Sequence, residues 1–237
     1  MDPVATIVLL TLVAGATMPV GAALARVDAC YPGWLSSEIR HGIMAFGGGA
    51  LVSAVALVLV PEGSEKLSVV MAAAAFMSGG IAFLLLDLWL ARSNSPMGQL
   101  AAMLSDFVPE ALALGAAFAT GHSAGLLLAM LIGLQNLPEG FNAYREMTHE
   151  SKLSGNKVLV AFGLLALLGP ISGLFGYFYL ANHPVLLGTI MLFASGGILY
   201  VVFQDIAPNA KLENRWLPAL GAVTGFLLGL IGNMMTG

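Results

Sequence analysis

Long apolar runs with charges only at their edges recur along the whole chain, and they constrain its fold more than any other feature. Eight such runs lie at about 3–26, 38–60, 68–91, 97–119, 123–143, 156–181, 184–205 and 216–236. Each holds roughly 20 residues or more, the length that an α-helix needs to cross the hydrocarbon core of a bilayer. Only 9% of the residues are charged, whereas soluble domains carry about 25%. The sequence therefore predicts an all-α polytopic membrane protein, with eight transmembrane helices in a single domain over residues 1–237.

The basic residues indicate how the runs are oriented. Eight of the nine lie in the connections between runs 1 and 2, 3 and 4, 5 and 6, and 7 and 8. They are Arg26, Arg40, Arg92, Arg145, Lys152, Lys157, Lys211 and Arg215. The opposite side carries only Lys66. Because connections rich in Lys and Arg stay in the cytoplasm, we expect a multi-pass protein of the cell (inner) membrane with both termini outside the cytoplasm.

Two of the runs contain carboxylates and prolines where only apolar residues are expected. Run 4 includes "MLSDFVPEALALGAAF" and run 5 includes "LIGLQNLPEGFNAYREM". No Lys or Arg lies near the middle of any run, so a simple buried ion pair is not available to these acids. Acids inside a membrane usually face a polar interior and mark an ion path or a proton relay. Ionised carboxylates that bind a cation and carboxylates that stay protonated are the two alternatives.

The spacing of the polar groups favours the cation site. The candidate ligands are Asp106, Glu110, Gln135, Asn136 and Glu139. In each run two of them are four residues apart and so share one helical face. Pro109 and Pro138 have no N–H to donate to the carbonyls of Ser105 and Leu134, which are therefore freed as further oxygen ligands. If the two runs are antiparallel neighbours, these groups form one oxygen-rich cation site near the midplane.

At these residues the chain resembles the ZIP (Zrt/Irt-like) divalent metal transporters, nearest to their GufA-like branch. That family has a His-Asn-x-Pro-Glu-Gly motif in its fourth helix, and the branch has Gln-Asn/Asp-x-Pro-Glu-Gly in its fifth. "QNLPEG" at 135–140 matches the second motif in full, and "SDFVPEA" at 105–111 keeps the Pro-Glu of the first. Run 2 ending in "LVPEG" and "GGILYVVFQDIAPNA" in run 7 extend the resemblance along the chain.

The resemblance implies a three-two-three arrangement of helices with inverted repeats. It also implies transport of Zn²⁺, Fe²⁺ or Mn²⁺ towards the cytoplasm, through a site between helices 4 and 5. The metal would be the substrate, and no cofactor is expected. A monomer and a homodimer both stay open.

The chain departs from the family at residues that bear on metal choice. Ser105 and Asp106 stand where the fourth-helix motif has His and Asn, and Gly169 stands where the sixth helix usually has Glu before its proline. The candidate ligands are therefore all oxygen or amide groups, which suit harder ions such as Mn²⁺ better than Zn²⁺. The missing acid argues against a two-metal site. Ser105, Asp205 and His122 are further candidates for the ion pathway.

Other function classes are weakly indicated. The chain has no nucleotide-binding loop and no convincing pair of nucleophile and base, so no enzyme is predicted. A net charge of −4 without a basic patch argues against nucleic acid as a partner. Two alternatives to a metal transporter remain. One is a non-transporting metal-binding homologue, and the other is a proton-coupled carrier of a small solute that uses Glu110 and Glu139 as titrating groups.

Overall fold

Helices form all the regular secondary structure in the part of the chain that the structure describes, which is residues 2–30, 36–93, 97–119, 124–149, 153–213 and 215–236 of a computed structural model. The α-helices are α1 Pro3–Cys30, α2 Ser37–Ala54, α3 Val60–Ser64, α4 Val69–Ser93, α5 Met97–Ala119, α6 Ala124–His149, α7 Gly155–Ala166, α8 Leu168–Phe178, α9 Pro184–Val201, α10 Ala207–Ala210 and α11 Leu217–Thr236. An all-helical membrane protein is what the apolar runs predict.

Within the described ranges, six helical stretches are long and apolar enough to cross a membrane. They are Pro3–Cys30, Ser37–Ser64, Val69–Trp89, Gly155–Asn182, Pro184–Ala210 and Leu217–Met235. They correspond to runs 1, 2, 3, 6, 7 and 8. Runs 4 and 5 form α5 and α6, of 23 and 26 residues, which at 1.5 Å per residue are about 35 and 39 Å long. Neither is among the six spans found within the described residues, so the expectation of eight spans stays a prediction.

Two of the spans contain a π-helical turn just before a proline. The turn Val55–Leu59 joins α2 to α3, and Val202–Ile206 joins α9 to α10. Pro61 and Pro208 follow at the same offset. A proline ring clashes with the carbonyl four residues earlier, and a π turn relieves such a clash because its bonds reach back five residues. A π turn followed by a proline thus occurs in each half of the described chain.

Run 6 forms one candidate membrane span, Gly155–Asn182, but its helix has an interruption that the sequence analysis did not predict. It is divided into α7, which ends at Ala166, and α8, which begins at Leu168. Pro170 explains the break, because it has no N–H to donate to the carbonyl of Ala166. By contrast, α5 and α6 continue through Pro109 and Pro138.

The helices pack as two bundles. In the first bundle, α1 packs on α6 and α7, and α5 packs on α8. In the second, α2 packs on α11, and α4 packs on α9. Contacts of α2 with α6 and of α5 with α9 join the two bundles. The helices that carry the candidate ligands, α5 and α6, therefore belong to one bundle and face the other.

Glycines allow the closest approaches within each bundle. A Cβ on Gly115 of α5 would collide with the backbone of Gly173 in α8, and a Cβ on Gly79 of α4 would collide with the backbone of Phe193 in α9. Between the bundles the glycines meet side chains instead, as where a Cβ on Gly47 would come within 2.7 Å of Pro138 Cγ. Small residues let helix backbones approach in lipid, so each bundle is held by backbone contact, whereas these contacts between bundles involve side chains.

Candidate metal site

The two Pro-Glu segments meet in the interior, where α5 packs against α6. Glu110 and Gln135 are both 0% exposed. The Nε2 of Gln135 donates a hydrogen bond to Oε2 of Glu110 over 2.5 Å. The side-chain oxygen of Gln135, Oε1, is buried and has no hydrogen-bond partner among the described residues. A buried amide oxygen in this position costs free energy unless something satisfies it, and a bound cation would do so.

Asn136 lies next to Gln135 but points to another helix. It is 1% exposed, and its Nδ2 donates to the backbone carbonyl of Ala14 in α1 over 3.2 Å. This bond holds α6 against α1 and leaves the amide oxygen of Asn136 as the atom that is available to a ligand. The structure therefore assigns Asn136 a positioning contact in addition to the predicted ligand role.

Glu139 lines a polar cavity of about 450 Å³ between the two bundles. The cavity is lined by residues of α2, α5, α6, α9 and the turn into α10: Met44, Gly47, Gly48, Met103, Pro138, Glu139, Asn142, Ala143, Arg145, Glu146, Val201, Asp205, Ile206 and Asn209. Glu139 is half-buried and lies one helical turn beyond Gln135. It therefore stands between the closed interior at Glu110 and the open cavity.

A polar stripe on α6 runs from the interior into the cavity. Its members are Gln135, Glu139, Asn142 and Glu146, spaced by four, three and four residues on one helical face. The stripe is about 16 Å long, roughly half of a 30 Å hydrocarbon core. Asn142 and Glu146 were missed in the sequence analysis, although their spacing from Glu139 is itself a helical signal.

The second bundle contributes a polar pair to the same cavity. Asp205 and Asn209 both line it, and Nδ2 of Asn209 donates to Oδ1 of Asp205 over 2.6 Å. The structure thus brings Asp205, a pathway candidate, to the cavity that Glu139 also lines. Asn209 was not identified from the sequence.

Three of the predicted residues cannot be placed at the site. The backbones of Ser105 and Asp106 lie in α5, but their side chains are outside the described part of the structure. His122 also lies outside the described residues. Among the side chains that are described, no three His, Cys, Asp or Glu residues cluster closely enough to hold a metal, so a complete ligand set needs the amides or Asp106.

Access to the interior differs between the two sides of the site. Towards the start of α6, the large buried residues that precede Gln135 are apolar. They are Leu127, Leu128, Leu131 and Ile132. Towards its end, the polar stripe leads into the cavity. The described side chains around Glu110 and Gln135 thus offer a polar route on the Arg145 side and apolar packing on the other.

Asp87 forms a hydrogen bond within the second bundle. Its Oδ2 accepts from the Tyr200 hydroxyl over 2.9 Å. The bond joins α4 to α9 inside the second bundle. Asp87 therefore stabilises the bundle that faces the site.

Comparison with known proteins identifies a relative of this chain. No family model matches the chain. A Myxococcus xanthus protein named zinc transporter GufA is 31% identical to it over 146 residues, which are 61% of this chain and 57% of that protein. The match therefore spans just over half of the relative's length. It supports the resemblance to ZIP-type metal transporters, and it is consistent with a multi-pass membrane protein that is not an enzyme.

Proposed function

We propose that this chain is a ZIP-like transporter of divalent metal cations. It would carry ions of the Zn²⁺, Fe²⁺ and Mn²⁺ type towards the cytoplasm through a site between helices 4 and 5 of eight, which are α5 and α6. The candidate ligands are Asp106, Glu110, Gln135, Asn136 and Glu139. The observation that supports this most is the buried bond between Glu110 and Gln135, next to a cavity that begins at Glu139.

The chemistry of the site suits a divalent ion. Carboxylates at membrane depth need hydrogen-bond donors or a cation to offset their charge, and no Lys or Arg lies near the middle of any predicted run. A cation shared by the carboxylates and the Gln135 oxygen would satisfy these groups together. Because this donor set has no imidazole or thiolate, we expect it to favour Mn²⁺-like ions over Zn²⁺ more than a histidine-containing site would.

The two bundles suggest how the ion would move. Under the proposed orientation, the cavity opens to the cytoplasm, so the described conformation would be inward-open. Asp205, opposite Glu139, would receive the ion on its way out. The π turn and proline in each half of the chain support the proposed inverted repeats, and the side-chain contacts between the bundles would permit sliding. The three-two-three arrangement is proposed from the resemblance.

Uptake into proteoliposomes tests this function. The purified full chain would be reconstituted and offered Mn²⁺, Fe²⁺, Zn²⁺, Co²⁺ and Cd²⁺ separately, with protein-free liposomes as the control. We expect saturable uptake of at least one ion. Metal binding without uptake would favour the non-transporting homologue. Proton-driven movement of a solute with no response to metal would favour the organic-solute carrier.

A further inference from the structure

Arg145 is a cation in a cavity whose other charged residues, among those described, are acids. It lies on α6 beside Glu146, is half-buried, and lines the same cavity as Glu139 and Asp205. Its guanidinium carbon lies 6.0 Å from the centroid of the Phe141 ring, one helical turn earlier. Within the described residues, Arg145 makes no ion pair.

The direction of this side chain is opposite to that of an ordinary interfacial arginine. Arginines near the ends of membrane helices usually extend to the aqueous interface. Arg145 instead lies back over Phe141, which is buried, towards the interior end of the polar stripe. Contact with an aromatic face favours a cation at this distance. The guanidinium is therefore held within the cavity wall.

The charges of the cavity show what this cation changes. Among the described lining residues, Glu139, Glu146 and Asp205 contribute three formal negative charges and Arg145 contributes one positive charge, so their sum is −2. This charge is equal and opposite to that of one divalent ion. Without Arg145 the same residues would sum to −3. The additional negative charge would hold a cation more tightly.

We propose that Arg145 is a tethered cation that weakens binding of the divalent ion in the cavity and thereby speeds its release. The inference rests on the proposed function, in which the ion leaves through this cavity. Conduction requires a site that binds the ion strongly enough for it to enter and weakly enough for it to leave. Arg145 meets the second requirement because it repels the ion while staying attached to the helix. It adjusts the affinity of the cavity for the ion and is not a ligand.

Binding of Mn²⁺ to the purified full chain, measured at low ionic strength, tests the role without requiring transport. The variants are Arg145→Gln, which removes the charge, Arg145→Lys, which keeps it, and Glu146→Gln, which changes the cavity charge in the opposite direction. Arg92→Gln is the matched control, since Arg92 is exposed and does not line the cavity. Initial rates of Mn²⁺ uptake into proteoliposomes complete the set.

We expect Arg145→Gln to bind Mn²⁺ about tenfold more tightly, with KM and kcat for uptake both reduced. Arg145→Lys and Arg92→Gln should resemble the wild type, and Glu146→Gln should bind several-fold more weakly. Unchanged or weaker binding by Arg145→Gln would overturn the inference and leave the proposed function standing, as would equal effects of Gln and Lys at this position. A wild-type protein that binds no divalent ion would contradict the proposed function and this inference together.

Discussion

The Glu110→Gln substitution distinguishes the effect of the buried carboxylate on stability from its role in binding the metal. Glu110 is 0% exposed, and its Oε2 accepts from Gln135. The substituted amide has nearly the same shape, and its carbonyl can accept the same hydrogen bond. A buried charge costs several kcal/mol before its interactions are counted, and those interactions offset part of this cost. We therefore expect the metal-free variant to be more stable than the wild type by about 1–3 kcal/mol.

Thermal unfolding in detergent measures both effects. For a chain of this size, 1 kcal/mol corresponds to a shift in Tm of roughly 2–4 °C, so the Tm of metal-free Glu110→Gln should rise by several degrees. Mn²⁺ should raise the Tm of the wild type, because a ligand that binds only the folded state stabilises it. That metal-dependent rise should be absent from the variant.

Gln135→Leu provides the contrast for this experiment. It removes the donor to Glu110 and should lower the metal-free stability by about 1–3 kcal/mol, because a buried acceptor loses its partner. The reasoning is refuted if Glu110→Gln lowers the metal-free Tm by several degrees and keeps the full response to Mn²⁺. That result would make Glu110 a structural residue.

Three further predictions concern packing, topology and metal choice. Gly115→Ala should destabilise the fold by about 1–3 kcal/mol, because the new methyl group would lie 2.7 Å from the carbonyl carbon of Gly173. Gly163→Ala, with no atom within 4 Å, should be neutral or gain up to about 1 kcal/mol, and comparable losses in both would contradict this packing. Cysteines introduced at 145–157, with Cys30 replaced by Ser, should react only from the cytoplasm, and labelling from outside would reverse the proposed orientation. In competition titrations Zn²⁺ should show no large advantage over Mn²⁺, and a preference of several orders of magnitude would mean that the ligand set is wrong.

The part of the candidate site that lies along one helix could be predicted from the sequence, because it depends on spacing along that helix. Gln135 and Glu139 share a face by their separation of four residues, and the short separation between runs 4 and 5 predicts that Glu110 can meet them. In the structure this contact is a hydrogen bond between Glu110 and Gln135. The same spacing continues to Asn142 and Glu146, so the stripe was readable from the sequence in full.

The remaining features depend on packing between distant segments. Asn209 and Asp205 line the cavity with Glu139 because α9 and α10 lie against α2, which in turn packs on α6, and no spacing along the chain encodes that arrangement. Tyr200 is likewise 113 residues from its partner Asp87. The break in run 6 was predictable in principle, since Pro170 removes a hydrogen-bond donor, but apolar periodicity alone does not show it.

Binding of a divalent ion to Glu139→Gln tests the central claim most directly. Glu139 lies between the buried pair and the cavity, and the substitution keeps its volume while removing one of the three negative charges at Asp106, Glu110 and Glu139. We expect calorimetry on the folded variant to show Mn²⁺ binding weakened by about 100-fold or more, since a unit charge at 4 Å is worth about 4 kcal/mol at an effective dielectric of 20. Wild-type affinity in folded Glu139→Gln would contradict the claim that these carboxylates hold the transported ion.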